Sequence, residues 1–67
     1  MRIVNNGTES EIARGATLLA YLQNEGLADK PGIAIAVNES VVPRKDWSEF
    51  ILKEGDIVLI IKATQGG

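Results

Sequence analysis

Ile57-Val58-Leu59-Ile60-Ile61-Lys62 decides the fold, and it runs straight into Ala63-Thr64-Gln65-Gly66-Gly67. The stretch is apolar at every position until Lys62, so it reads as a last strand with two apolar faces. Side chains alternate across a strand, which puts Ile57, Leu59 and Ile61 on one face and Val58, Ile60 and Lys62 on the other. One set has to meet a helix, and the chain offers one helix. Val58 and Ile60 are expected inside, with Leu59 and Ile61 left at the surface and available to a partner. Loops that cover both faces are the competing reading.

Moving back from this strand, Glu54-Gly55-Asp56 is a turn. Arg44 to Leu52 holds a helical turn with Trp47, Phe50 and Ile51 at three-to-four spacing. Val41-Val42 is a short strand cut by Pro43, which has no N–H for a ladder. Asn38-Glu39-Ser40 is a turn. Ile33, Ile35 and Val37 alternate with Ala34 and Ala36, which fits a central strand with small residues on one side for close packing. Ala28 to Gly32 is a connector containing Pro31.

Further back lies the helix, predicted over Leu18 to Glu25. Thr17 is its N-cap, and Leu18, Leu19, Tyr21 and Leu22 make a wide apolar stripe. Gly26 stands where a C-terminal cap belongs, and Leu27 is placed to fold back on the helix. Asn5-Asn6-Gly7 is a tight-turn signal between a first strand, Met1 to Val4, and a return strand, Thr8 to Ala13. The return strand is polar except at Ile12, so it reads as an edge. The order is ββαββ, with a short helical turn before the final strand. The first and last strands are expected side by side and parallel in the centre of one mixed sheet, the intervening chain supplying the crossover. The fold class is α+β, with one main helix across one face. Residues 1–63 form the domain, and 64–67 a flexible tail.

Composition narrows the function. A domain of 67 residues buries only about 60% of the surface its unfolded chain exposes. That leaves little volume for an internal active site beside a core. The net charge is −2, and Arg44-Lys45 is the lone adjacent basic pair, which speaks against nucleic acid. Apolar runs are too short to span a bilayer, and no signal-peptide pattern opens the chain. Cysteine and histidine are absent, which removes disulfides, thiolate metal sites and the usual general base. No catalytic or metal-ligating set is expected. The setting expected is intracellular.

Chemistry then concentrates at Gly66-Gly67. A glycine pair has no side-chain chemistry, so a site there uses the backbone or the terminal carboxylate. The competing reading is a frayed end. Extended, Thr64 to Gly67 reaches roughly 13–14 Å, enough to thread another protein's active site. A carboxylate is a poor electrophile, and this chain has no phosphate-cradling loop, so activation falls to a partner. Arg44 and Trp47 form a second candidate. They read either as a partner contact or as an anchor for a long loop with a surface charge beside it. Glu9, Glu11, Glu49, Glu54 and Asp56 read as solvated surface charges.

Ala36-Val37-Asn38, Val41-Val42-Pro43-Arg44, Trp47, Gly55-Asp56 and the closing Gly66-Gly67 together resemble the ThiS family, the sulfur carriers of thiamine thiazole biosynthesis. The resemblance covers the whole chain and is most specific from Ile33 onward. Val-Asn, Gly-Asp and a final Gly-Gly are shared with the wider ubiquitin-like sulfur carriers, including the molybdopterin-synthase small subunit MoaD. Val-Pro-Arg-x-x-Trp points to ThiS within that group. The resemblance implies a β-grasp (ubiquitin-like) fold. It implies a cytoplasmic protein co-substrate that is not an enzyme and binds no cofactor itself. A ThiF-type enzyme would use ATP and Mg²⁺ to adenylate the carboxylate of Gly67, with Gly66 giving access. Sulfur from a cysteine desulfurase would make the thiocarboxylate, which would supply a ThiG-type thiazole synthase. A carrier for molybdopterin or another sulfur pathway, and a ubiquitin-like interaction module or protein modifier, are the alternatives.

Overall fold

Each turn in this chain is set by local chemistry, and the turns set the sheet. Asn6 and Gly7 have φ of 49° and 86°, the paired positive values that a two-residue hairpin turn requires. Asn38 and Glu39, at 50° and 73°, repeat that geometry without a glycine. A computed structural model describes residues 1–62. Among them stand β1 (Arg2–Asn5), β2 (Thr8–Glu11), α1 (Leu18–Asn24), β3 (Ile33–Val37), β4 (Ser40–Val42) and β5 (Ile57–Lys62), with a 3-10 turn at Arg44–Asp46. The Val41-Val42 strand pairs fully with β3, so the order is ββαβββ. The sheet order is β2-β1-β5-β3-β4. β1 lies parallel to β5 with Val4 beside Ile57, and the other pairings are antiparallel. The expected central pair of first and last strands is thus present, and β2 is an edge.

The helix is seven residues long, too short to hold in water alone. Its ends and one face are fixed by the rest of the chain. The Thr17 hydroxyl accepts from the Ala20 N–H at 3.1 Å. The Leu18 and Leu19 N–H groups donate to the carbonyls of Phe50 (2.7 Å) and Trp47 (3.0 Å). The first donors of the helix are therefore satisfied by the loop that follows β4. At the other end Gly26 adopts φ 74°, its N–H donates to Gln23 O, and the Leu27 N–H donates to Leu22 O. That pair of bonds is the Schellman cap for which Gly26 and Leu27 are suited. Leu18, Tyr21 and Leu22 point into one cluster with Ile3, Ile35, Val37, Val42, Trp47, Leu52 and Val58.

One sequence expectation changes here. Leu52, not Ile51, enters the core after Trp47, while Ile51 is exposed. Residues 47–52 are not one helical turn: Ile51 bridges to Thr17, and the Leu52 N–H donates to Ala16 O at 2.9 Å. The extended backbone there reverses which side chain points inward. Ala34 and Ala36 share one side of β3, as their spacing predicts. Their side faces away from the helix, beside Ile61 and Leu59. Their small size lowers the floor of that sheet face, where Ala36 is buried.

Candidate functional site

Register assigns the two faces of the sheet. Cross-strand partners share a face, so Ile35, Ile60, Val37, Val58 and Val42 lie together on the helix side. Leu59, Ile61, Ala34, Ala36 and Val41 lie on the other side, and Val4 beside Ile57 continues that set onto β1. Val58 is fully buried. Leu59 and Ile61 are 48% and 45% exposed, as the alternation predicts, with Ile57 at 56% and Val41 at 67%. The reading in which loops cover both faces is excluded. Sequence reasoning missed Val41 as part of this surface. Its neighbour across the sheet, Ala36, is 23 positions from Leu59 in the chain, and only register joins them.

The outer face is apolar in its middle and charged at its β2 side. Arg2 lies between Glu9 (3.6 Å) and Glu11 (3.5 Å) there. The N-terminal ammonium, 3.1 Å from Glu11, donates to that carboxylate and with Arg2 holds it below the usual carboxylate range. A hollow of about 320 Å³ opens at the start of β5, between Asn6 and Gly7 of the first turn, Glu39 of the second, and Ala36, Ile57 and Leu59. Four large exposed apolar side chains on one sheet face form a patch of the kind that marks a protein contact.

Arg44 and Trp47 come together, but as an internal staple. Trp47 is 2% exposed, and its indole N–H donates to the Val42 carbonyl at 2.9 Å. Of its two readings the anchor holds, and its place as a candidate partner contact is corrected: the ring is core and cannot meet a partner. The Arg44 guanidinium stacks on that ring, 4.5 Å from its centre. It also donates to the carbonyls of Ala28 (2.6 Å) and Lys30 (2.9 Å). Arg44 stays at the surface, yet these bonds are to its own chain.

Asp56, which reads in the sequence as a solvated surface charge, is a buried one. It is 8% exposed. One carboxylate oxygen accepts from the Asn38 side-chain amide at 2.9 Å, the other from the Lys53 N–H at 2.8 Å. The Asn38 carbonyl oxygen in turn accepts from the Ile57 N–H at 2.9 Å. The Val-Asn and Gly-Asp motifs are thus two halves of one clamp at the start of β5. Two Asx-type residues, each beside a turn that needs positive φ, were the signal that could have found it. Asp56→Ala strands the Asn38 amide and the Lys53 N–H, and should cost about 1.5–3 kcal/mol by urea titration. A loss under about 0.5 kcal/mol would show that water replaces the carboxylate freely.

Gly66 and Gly67, and the expected boundary between residues 63 and 64, lie outside the described residues. β5 leads toward them from Lys62, at the end of the apolar face. Among the described residues no helix is long and apolar enough to cross a membrane.

A family model described as the ThiS family matches residues 1–67. The sulfur carrier protein ThiS of Escherichia coli (strain K12) is 31% identical over 67 residues, which covers 100% of both chains. The crystal structure of the thiamine biosynthesis protein ThiS from Geobacter metallireducens superposes with a TM-score of 0.86 at 23% identity, covering 100% of both chains. A solution structure of a thiamine biosynthesis protein from the same organism gives 0.78 at 23% identity, covering 100% of this chain and 88% of that one. These structures share the mixed sheet and single helix described above, the β-grasp arrangement.

Proposed function

The chain belongs to the ThiS family, and from that premise we propose that it is a cytoplasmic sulfur carrier for thiamine thiazole formation whose reactive group is the Gly67 carboxylate. The full-length match to a sulfur carrier supports this reading most directly. The chain acts as a co-substrate. A ThiF-type partner supplies ATP and Mg²⁺. A carboxylate oxygen attacks the α-phosphorus, pyrophosphate leaves, and Gly67 becomes an acyl-adenylate. A sulfur nucleophile then attacks the acyl carbon, and AMP departs with one carboxylate oxygen. If that nucleophile is a persulfide charged by a cysteine desulfurase, a thiol must next reduce the resulting acyl disulfide to free the thiocarboxylate. A ThiG-type thiazole synthase takes the sulfur. Gly66 keeps the end thin enough to enter each active site.

Intact mass after incubation with the adenylating enzyme, ATP and a sulfur source tests this. The expected gain on the C-terminal peptide is about 16 Da, oxygen exchanged for sulfur. An unchanged mass with the matched partner overturns the reading, and an amide bond to a partner lysine would make the chain a protein modifier.

Leu59 and Ile61 are the proposed docking residues, with Val41 and Ile57 extending the patch. Ile57, Leu59 and Ile61 lie on β5, the strand that precedes the C-terminal residues, so docking the face aims the terminus. Leu59→Glu should leave stability within about 0.5 kcal/mol, because the side chain is half exposed. Affinity for the adenylating enzyme should fall about 30-fold or more by calorimetry, the scale of an interface hot spot. Unchanged affinity would place the contact elsewhere.

A further inference from the structure

The C-terminal end of β5 is held from one side. β1 runs beside β5 only at Val4–Ile57 and Asn5–Val58. The hairpin then turns away at Asn6, whose side-chain oxygen accepts one last bond, from the Ile60 N–H at 2.9 Å. Beyond Ile60, among the described residues, β5 is paired with β3 alone, through Ala34–Ile61 and Ile33–Lys62. The tail therefore leaves from a strand end whose position depends on the first residues of β3.

Those residues are in turn placed by the connector from Leu27 to Ile33. Its near end is fixed by the Schellman cap and by the Lys30 N–H bond to Leu27 O at 3.1 Å. Its middle is fixed by Arg44, which donates to Ala28 O and Lys30 O at once. The fork is pre-organised, because the same guanidinium sits over the buried Trp47 ring, 4.5 Å from its centre. A planar group with several donors suits two carbonyls and a ring face together, which a lysine ammonium does not.

We infer that Arg44 is a positioning residue for the reaction at the tail: through the Ala28–Gly32 connector it holds the start of β3, and so the last pairs of β5 from which the reactive terminus departs. The inference rests on the sulfur-carrier reading for its consequence in the reaction, but not for its structural part.

Hydrogen exchange in the free protein separates the two. Antiparallel ladder bonds alternate along the strands. The Asn38 N–H donates to Ile57 O at 2.8 Å, so the bonded pairs that follow are Ala36–Leu59 and Ala34–Ile61. In Arg44→Ala the Ala34 and Ile61 amides should exchange about tenfold faster or more, while Ala36 and Leu59 stay within about threefold of the parent. Arg44→Lys, which keeps the charge but replaces the planar fork with a single ammonium nitrogen, should recover only part of that protection. With the adenylating enzyme, Arg44→Ala should raise KM about three- to tenfold and leave kcat within about twofold, because a loosened strand end has to be ordered at each encounter. Uniformly faster exchange across the sheet, unchanged exchange at Ala34 and Ile61, or an unchanged KM would each overturn the inference. If the parent chain takes up no sulfur at all, the sulfur-carrier reading fails, and the exchange pattern still decides whether Arg44 holds the strand end.

Discussion

Trp47→Ala should bring this protein to the edge of unfolding. Small domains of 67 residues have about 3–10 kcal/mol of stability. Truncating a buried tryptophan costs about 3–5 kcal/mol through lost transfer energy and the cavity left behind. Trp47 adds two duties to its volume. Its indole N–H bonds the Val42 carbonyl, and its ring supports the Arg44 fork. Its backbone carbonyl also receives the Leu19 N–H at the start of α1, so a cavity at this point loosens the segment that caps the helix. The expected drop in melting temperature is roughly 12–40 °C, at about 4–8 °C per kcal/mol for a domain of this size. The chain has a single tryptophan, so circular dichroism must follow the transition in place of its fluorescence. Trp47→Phe should fall in between, because it keeps most of the ring volume but leaves the Val42 carbonyl without the indole donor. A loss below about 1 kcal/mol in the alanine variant would mean that the site collapses without a cavity.

That prediction depends on a residue whose part was open in the sequence, and the reason is instructive. What the sequence showed well was local. The strand Ile57 to Lys62 appears with those bounds, because period-two alternation and the flanking Gly55-Asp56 turn are both short-range. The Thr17 and Gly26 caps were legible for the same reason. So was the split of β5 into a buried and an open face, since one helix can cover one side. What stayed hidden spans many positions. Asp56 meets Asn38 across 18 residues, and Arg44 reaches Ala28 across 16. Each is a polar side chain beside a turn, and nothing within four residues separates a solvated one from a clamped one. The motifs Val-Asn, Gly-Asp and Arg-x-x-Trp carried the family resemblance, and the structure gives them work inside the fold. In this chain they hold the sheet and the loop after β4 together. The chemistry proposed for this chain lies at Gly67, outside those three motifs.

Removing Gly67 should abolish sulfur uptake and leave the fold intact. A glycine has no side chain to lend to a core, and among the described residues the buried cluster runs from Ile3 to Val58. Melting temperature should stay within about 2 °C, in keeping with surface changes of at most about 0.5 kcal/mol. The truncated chain still ends in a carboxylate, at Gly66, and this makes the test sharp. Its chemistry is the same, and only its reach is shorter, by about 3.3–3.6 Å. Misplacing a reacting group by about 1 Å can cost 100-fold in rate, so a whole residue should leave no measurable adenylation. Pyrophosphate release reports the first step and intact mass the second. The parent should show both, and the truncated chain neither. Docking should survive, because Leu59 and Ile61 remain, so the truncated chain should compete with the parent for the adenylating enzyme at nearly equal affinity. Competition without turnover would separate the two parts of the proposed site, the face that docks and the end that reacts. A truncated chain that still gains about 16 Da would show that the partner reads any carboxylate it can reach, and the assignment to Gly67 would be withdrawn.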